Sequence, residues 1–78
     1  MTLSQEKNLA DRQAAEAFLA AWVLYAEAKQ FIFSNAAKFA ELSAKADAKM
    51  AEGNEAADHA RFLEWAENME SAVEAGYF

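Results

Sequence analysis

Large apolar side chains in the first third of the chain recur with the period of an α-helix. At 100° per residue, one broad face collects Phe18, Leu19, Trp22, Tyr25, Ile32 and Phe33. Leu24 and Phe31 lie on roughly the opposite face. A helix that is apolar on opposite faces is normally buried on both sides, so the pattern predicts a core face and a second packing face.

Local signals predict where this helix begins and where it weakens. Thr2 and Gln5 have the spacing of a capping box, and neither glycine nor proline interrupts the chain before Gly53. Ser34 and Asn35 form the weak point, because both side chains compete for backbone hydrogen bonds and suit a helix N-cap. The sequence therefore predicts a first helix over about residues 4–33.

The dipeptide Gly53-Asn54 gives a stronger break signal than Ser34-Asn35. Glycine suits a left-handed C-cap, and asparagine suits the N-cap of a following helix. The prediction is an all-α single domain over residues 1–78, a small helical bundle or hairpin with later helices at about 36–52 and 54–75. The alternative is one long helix to residue 52 that folds back at Gly53.

The third predicted helix carries an acidic stripe beside an apolar face. Its predicted core consists of Phe62, Trp65, Ala66, Met69 and Val73. The stripe on the other side, which we call the acidic stripe, consists of Glu64, Glu67, Glu70 and Glu74, with Leu63 at its edge. Glutamates at this spacing repel one another, so the stripe calls for either a basic partner protein or neutralisation within the chain. The internal alternative uses the lysines of the second predicted helix, Lys38, Lys45 and Lys49.

Composition predicts that a single chain has a small core. Of the 43 hydrophobic residues, 21 are alanine, and a domain of this length is near the lower limit for one apolar core. We therefore expect homo-oligomerisation to complete the bundle. The residues assigned to this self-association are Phe18, Trp22, Leu24, Tyr25 and Phe31.

Charge narrows the classes of partner. The formal net charge is −6, and residues 54–78 hold six acidic residues with Arg61 as their one base. Direct nucleic-acid binding needs clustered lysine and arginine, so it is not expected. The longest uncharged apolar run, over residues 17–26, is about half of a membrane span. Without cysteine or a secretory signal, the sequence predicts a cytoplasmic protein with no membrane contact.

Side chains that could carry chemistry are sparse. His59 is the one histidine, and Glu55 is its one carboxylate neighbour a helical turn away. A zinc site needs three or four ligands, and a catalytic triad needs a positioned acid and an oxyanion hole. No glycine-rich loop is present to hold a phosphate. The sequence therefore predicts no enzyme, no cofactor and no metal site.

Three functional hypotheses follow. In size and charge the chain resembles small acidic helical proteins of phages and mobile elements, which inhibit nucleic-acid-binding enzymes by occupying their basic surfaces. The first hypothesis is accordingly an inhibitor or adaptor that presents Leu63 and the acidic stripe to a basic surface of a partner protein. The second is a structural homo-oligomer without a separate ligand. The third is a helical dimer that binds a small ligand near Trp22, Tyr25 and Lys29.

Overall fold

The computed structural model describes residues 1–76 and shows a hairpin of two α-helices. Helix α1 comprises Leu3–Lys29, and helix α2 comprises Ala36–Glu74. The ring of Phe18 lies against Gly53, and Tyr25 forms a hydrogen bond with Asp47. These two contacts show that the helices run antiparallel. The all-α prediction is confirmed, whereas the division into three helices is wrong.

Side-chain caps fix the start of each helix. The Gln5 N–H donates to Thr2 Oγ1 at 3.1 Å, and the Thr2 N–H donates to Gln5 Oε1 at 2.9 Å. Asn35 caps α2, because its Oδ1 accepts a hydrogen bond from the Lys38 N–H at 3.0 Å. The predicted capping box and the predicted N-cap at residue 35 are both confirmed. Helix α1 ends at Lys29, so the reversal occupies residues 30–35.

Helix α2 continues through Gly53, where the sequence predicted a break. Gly53 is buried, and a Cβ built on it would lie 2.5 Å from the nearest ring carbons of Phe18. Among residues 1–76, Gly76 is the one glycine with positive φ. Gly53 therefore serves close approach of the two helices and does not terminate a helix, at the usual cost of about 1 kcal/mol for glycine within a helix.

Small residues form the contact between the helices. Six of the eight buried hydrophobic residues are alanine, and the other two are Leu42 and Leu63. Small residues recur every seven positions along this contact, which we call the seam: Ala14, Ala21 and Ala28 on α1, and Ala46, Gly53 and Ala60 on α2. A seven-residue repeat keeps one face of each helix on its partner, as in a coiled coil. The seam is therefore a narrow coiled-coil contact.

Most large apolar side chains lie outside the seam, contrary to the predicted core. Phe62, Trp65 and Val73 were assigned to the core of a third helix, yet they are 59%, 59% and 58% exposed. The rings of Phe62 and Trp65 contact each other, with centroids 6.1 Å apart. The assignment is wrong because α2 turns its alanines and Gly53 toward α1, which directs these larger side chains outward.

Candidate protein-interaction surfaces

The glutamates of the acidic stripe lie at one end of the hairpin, beside the N-terminus of α1. The contacts Phe18–Gly53 and Tyr25–Asp47 set a register that brings the start of α1 level with the last turns of α2. A shallow cleft between them is lined by Thr2, Leu3, Ser4, Glu67, Glu70, Ser71 and Glu74. We call the region formed by the stripe and this cleft the acidic end.

The N-terminus of α1 offers partial compensation for these negative charges. The first N–H groups of a helix carry a partial positive charge, which favours carboxylates nearby by a few tenths of a kcal/mol at exposed positions. Glu64 does not line the cleft, and it is exposed, as are Glu70 and Glu74. The acidic end thus remains accessible to another molecule.

Lysine neutralisation of the stripe, the internal alternative, is wrong. All three lysines belong to the same continuous helix as the glutamates, and Lys49 precedes Glu64 by about 22 Å of helix. The lysines instead form ion pairs with glutamates three or four residues away on α2. Lys38 and Lys45 lie 3.8 and 3.3 Å from Glu41, and Lys49 lies 3.0 Å from Glu52.

Leu63 is not an exposed anchor at the edge of the stripe. Its side chain is 4% exposed and packs in a cluster with Ala10 and Ala60, with Leu3 against it. The prediction that Leu63 is exposed is wrong, because Leu63 lies three residues after Ala60, on the face of α2 that contacts α1. Leu63 therefore packs in the contact between the two helices at this end and is not an exposed side chain.

The two flanks of the hairpin differ in chemistry. We call the first the aromatic flank: it carries Phe18, Trp22 and Tyr25 on α1, spaced four and three residues apart, beside Asp47 and Met50 on α2. Trp22 is 69% exposed, whereas Phe18, Tyr25 and Met50 are partly buried. The flank is therefore apolar at its centre and open to solvent at Trp22.

A hydrogen bond crosses the aromatic flank. The Tyr25 hydroxyl donates to Asp47 Oδ1 at 2.6 Å. This hydrogen bond raises the pKa of Tyr25 above its ordinary value of 10.0, and burial and the negative charge of Asp47 act in the same direction. Asp47 was not predicted to contribute here, because its hydrogen-bond partner lies 22 residues away in the chain.

The five residues predicted for self-association do not share one outer surface. Leu24 and Phe31 are partly buried, as are Phe18 and Tyr25. By helical spacing Leu24 lies roughly opposite Trp22 on α1, and its role in self-association, like that of Phe31, stays a prediction. Phe18, Trp22 and Tyr25 remain together on the aromatic flank. Three exposed apolar side chains of α1 that the prediction left out are Leu9, Leu19 and Val23.

The opposite flank is a polar groove. Alanines form its floor, and charged and amide side chains form its walls; the lining comprises Gln13, Glu16, Ala17, Ala20, Lys49, Glu52, Glu55, Ala56 and His59. His59 is exposed, and within residues 1–76 no three histidine, cysteine, aspartate or glutamate side chains are grouped to hold a metal ion. The polar groove and the aromatic flank therefore lie on opposite sides of the hairpin.

Comparison with known proteins adds no relative. No protein-family model matches the sequence, no curated protein matches it significantly, and no solved structure matches the fold. Neither α1 nor α2, which together account for the helices of residues 1–76, contains an apolar stretch able to cross a membrane. Function is therefore inferred from the surfaces of the hairpin.

Proposed function

We propose that the protein is a non-enzymatic protein-binding module, an inhibitor or adaptor that presents its acidic end to a basic surface of a partner protein. The observation that carries the proposal is the pattern of ion pairs. Lys38, Lys45, Lys49 and Arg61 each pair with a carboxylate near them along α2. Within residues 1–76, no ion pair involves a glutamate of the acidic stripe.

A nucleic-acid-binding surface is the class of partner that best complements this end. Such surfaces cluster lysine and arginine to neutralise phosphates, and a row of carboxylates offers negative charge in their place. Opposite potentials accelerate the encounter of two proteins and make it sensitive to salt. The proposal therefore requires binding that competes with nucleic acid and weakens as the salt concentration rises.

Competition with DNA tests the proposal. The measurement is the displacement of fluorescent DNA from a set of lysine-rich DNA-binding domains, over a range of salt concentrations. Changing all four glutamates of the acidic stripe to glutamine should weaken displacement at least tenfold, since several charge contacts are lost together. The matched control changes Glu16, Glu27, Glu41 and Glu55 to glutamine, which removes the same charge away from the acidic end.

The control separates a specific surface from net charge. If the acidic end is the binding surface, the control variant displaces DNA like the wild type. Equal losses in both variants would show that only total charge matters. Failure of the wild-type protein to displace DNA from any basic domain would contradict the proposal.

A second candidate function is a structural homo-oligomer, which the exposed apolar side chains favour. Eleven large hydrophobic residues among residues 1–76 are exposed, whereas two leucines are the large residues of the buried core. An assembly protein would bury many of these side chains against further copies. Such a protein would assemble normally after glutamine replacement of the acidic stripe, and it would have no DNA-competing activity to lose.

The third hypothesis, a small ligand near Trp22, Tyr25 and Lys29, stays a prediction. In the single hairpin the Tyr25 hydroxyl already bonds to Asp47, and both Trp22 and Lys29 are exposed. The two clefts described above are lined by other residues. A ligand there would need a second chain to enclose it.

A further inference from the structure

The aromatic flank contains more apolar surface than a lone hairpin can bury. The seam accommodates only small side chains along most of its length, so many of the larger apolar side chains of each helix lie outside the contact. On the aromatic flank this leaves Trp22 69% exposed. Exposed apolar patches of more than a few hundred Å² on soluble proteins usually mark an interface.

The dimensions of the hairpin suit a dimer. Its principal extents are 63 × 18 × 13 Å, so its broad side exceeds the roughly 800 Å² per partner that a standard interface buries. Burying the exposed part of one tryptophan removes on the order of 150 Å² from water. In a two-fold dimer Trp22 contributes twice, because an isologous interface uses the same patch on both copies.

Charge favours the aromatic flank over the polar groove as the contact. The walls of the groove carry Glu16, Glu52 and Glu55, which a second copy would bring close to the same glutamates. On the aromatic flank, Asp47 is already engaged by the Tyr25 hydroxyl. Burial of this flank therefore desolvates fewer charges, and desolvated charges are the main cost of an interface.

The distribution of charge along the hairpin sets the orientation of the second copy. The half remote from the reversal, residues 1–19 and 54–76, contains nine acids and three bases. The half that holds the reversal, residues 20–53, contains four acids and four bases. A parallel arrangement would place two strongly acidic halves side by side, whereas a head-to-tail arrangement places each against a neutral half.

From these observations we infer that a second copy of the chain covers the aromatic flank in a head-to-tail orientation, giving a four-helix bundle with Trp22 in its core. The inference goes beyond the proposed function. It concerns the chain without any partner, so its tests do not depend on the acidic end binding a basic surface.

Sedimentation equilibrium across the micromolar range tests the contact. The wild-type protein should have twice the mass of the chain. Trp22→Gln should raise the dimer dissociation constant about 30-fold or more, because a buried tryptophan at the centre of an interface is a hot spot. The matched control is Trp65→Gln, which changes the other tryptophan. Trp65 is 59% exposed and lies on the far side of α2 from the seam.

Two results would overturn the contact. One is a wild-type monomer at every concentration. The other is a dimer that Trp65→Gln weakens as much as Trp22→Gln does, which would place the interface elsewhere. Circular dichroism checks that both variants keep their helices.

A distance between spin labels on the two chains tests the head-to-tail orientation and leaves the aromatic flank unaltered. Residues 1–76 contain no cysteine, so Ser34→Cys gives one spin label per chain at the reversal. In a head-to-tail dimer, double electron–electron resonance should place the two labels nearly a hairpin length apart, and a Ser4→Cys label should lie close to a Ser34→Cys label of the second chain. Two Ser34 labels close together would show a parallel dimer and overturn the orientation.

Discussion

Replacing Gly53 with alanine tests the close contact between the two helices at Phe18. In an exposed helix interior, alanine is more stable than glycine by about 1 kcal/mol. At Gly53 the added Cβ would lie 2.5 Å from two ring carbons of Phe18, well inside an ordinary contact of 3.4–4 Å. The ring must move by about 1 Å, and such overpacking costs about 1–3 kcal/mol. We therefore expect Gly53→Ala to lower the free energy of unfolding by roughly 1 kcal/mol.

The sign of this effect should reverse when the ring is absent. In a Phe18→Ala background the three atoms nearest to the new methyl group are removed, so Gly53→Ala should raise the free energy of unfolding by about 0.5–1 kcal/mol. The four proteins form a double-mutant cycle with an expected coupling of about 2 kcal/mol. Urea denaturation followed by circular dichroism measures it, with sucrose added equally to all four if Phe18→Ala is weakly folded. Equal effects of Gly53→Ala in both backgrounds would refute the close contact.

Two further predictions concern burial and titration. Leu63→Ala should lower the free energy of unfolding by about 2–5 kcal/mol, because Leu63 is buried. Trp65→Ala should lower it by only about 1 kcal/mol, because the Trp65 side chain is 59% exposed. Urea denaturation measures both, and a larger loss for Trp65→Ala than for Leu63→Ala would contradict the placement of both residues. In a Tyr77→Phe background, Tyr25 should ionise above pH 10, and Asp47→Ala should lower its pKa, as followed by ultraviolet absorbance. Because only the protonated Tyr25 hydroxyl donates to Asp47, this hydrogen bond stabilises the fold below pH 10 and is lost as the pH rises through the raised pKa of Tyr25. An unchanged Tyr25 pKa in Asp47→Ala would contradict the hydrogen bond.

The sequence predicted the helices and their caps better than it predicted their pairing. Thr2 and Asn35 act through local hydrogen bonds to residues three positions away, so the sequence alone predicts them. Gly53 has the same local signature as a helix end. Its role depends on Phe18, 35 positions earlier in the chain, and no local signal reports that contact.

The predicted core failed for a related reason. Weighting each helix face by the size of its apolar side chains selects Trp22 on α1 and Trp65 on α2 as core, and both are exposed. The true contact is marked by small residues at seven-residue spacing on both helices. Ala14, Ala21 and Ala28 show this repeat in the sequence, and attention to small residues would have identified the seam.

The acidic stripe was placed on the correct helix, but its surroundings were mispredicted. The lysine alternative assumed that the chain folds back at Gly53, which would have brought Lys38 toward Glu67. Since α2 is continuous, these two residues are separated by about eight turns of helix. The neighbour of the stripe is instead the start of α1, and that follows only from the register of the hairpin.

The two proposals together imply a bivalent protein. In a head-to-tail dimer the acidic ends lie at opposite ends of a bundle about as long as the 63 Å hairpin, so both cannot reach one compact basic site. Each end would bind a separate partner, or two sites of one partner at that separation. Bivalent attachment multiplies affinity only where both ends can engage at once. Trp22→Gln should therefore weaken binding to a surface densely coated with a basic domain, yet leave binding to the same domain free in solution unchanged. Loss of binding in both formats would instead mean that the dimer interface itself forms part of the binding surface.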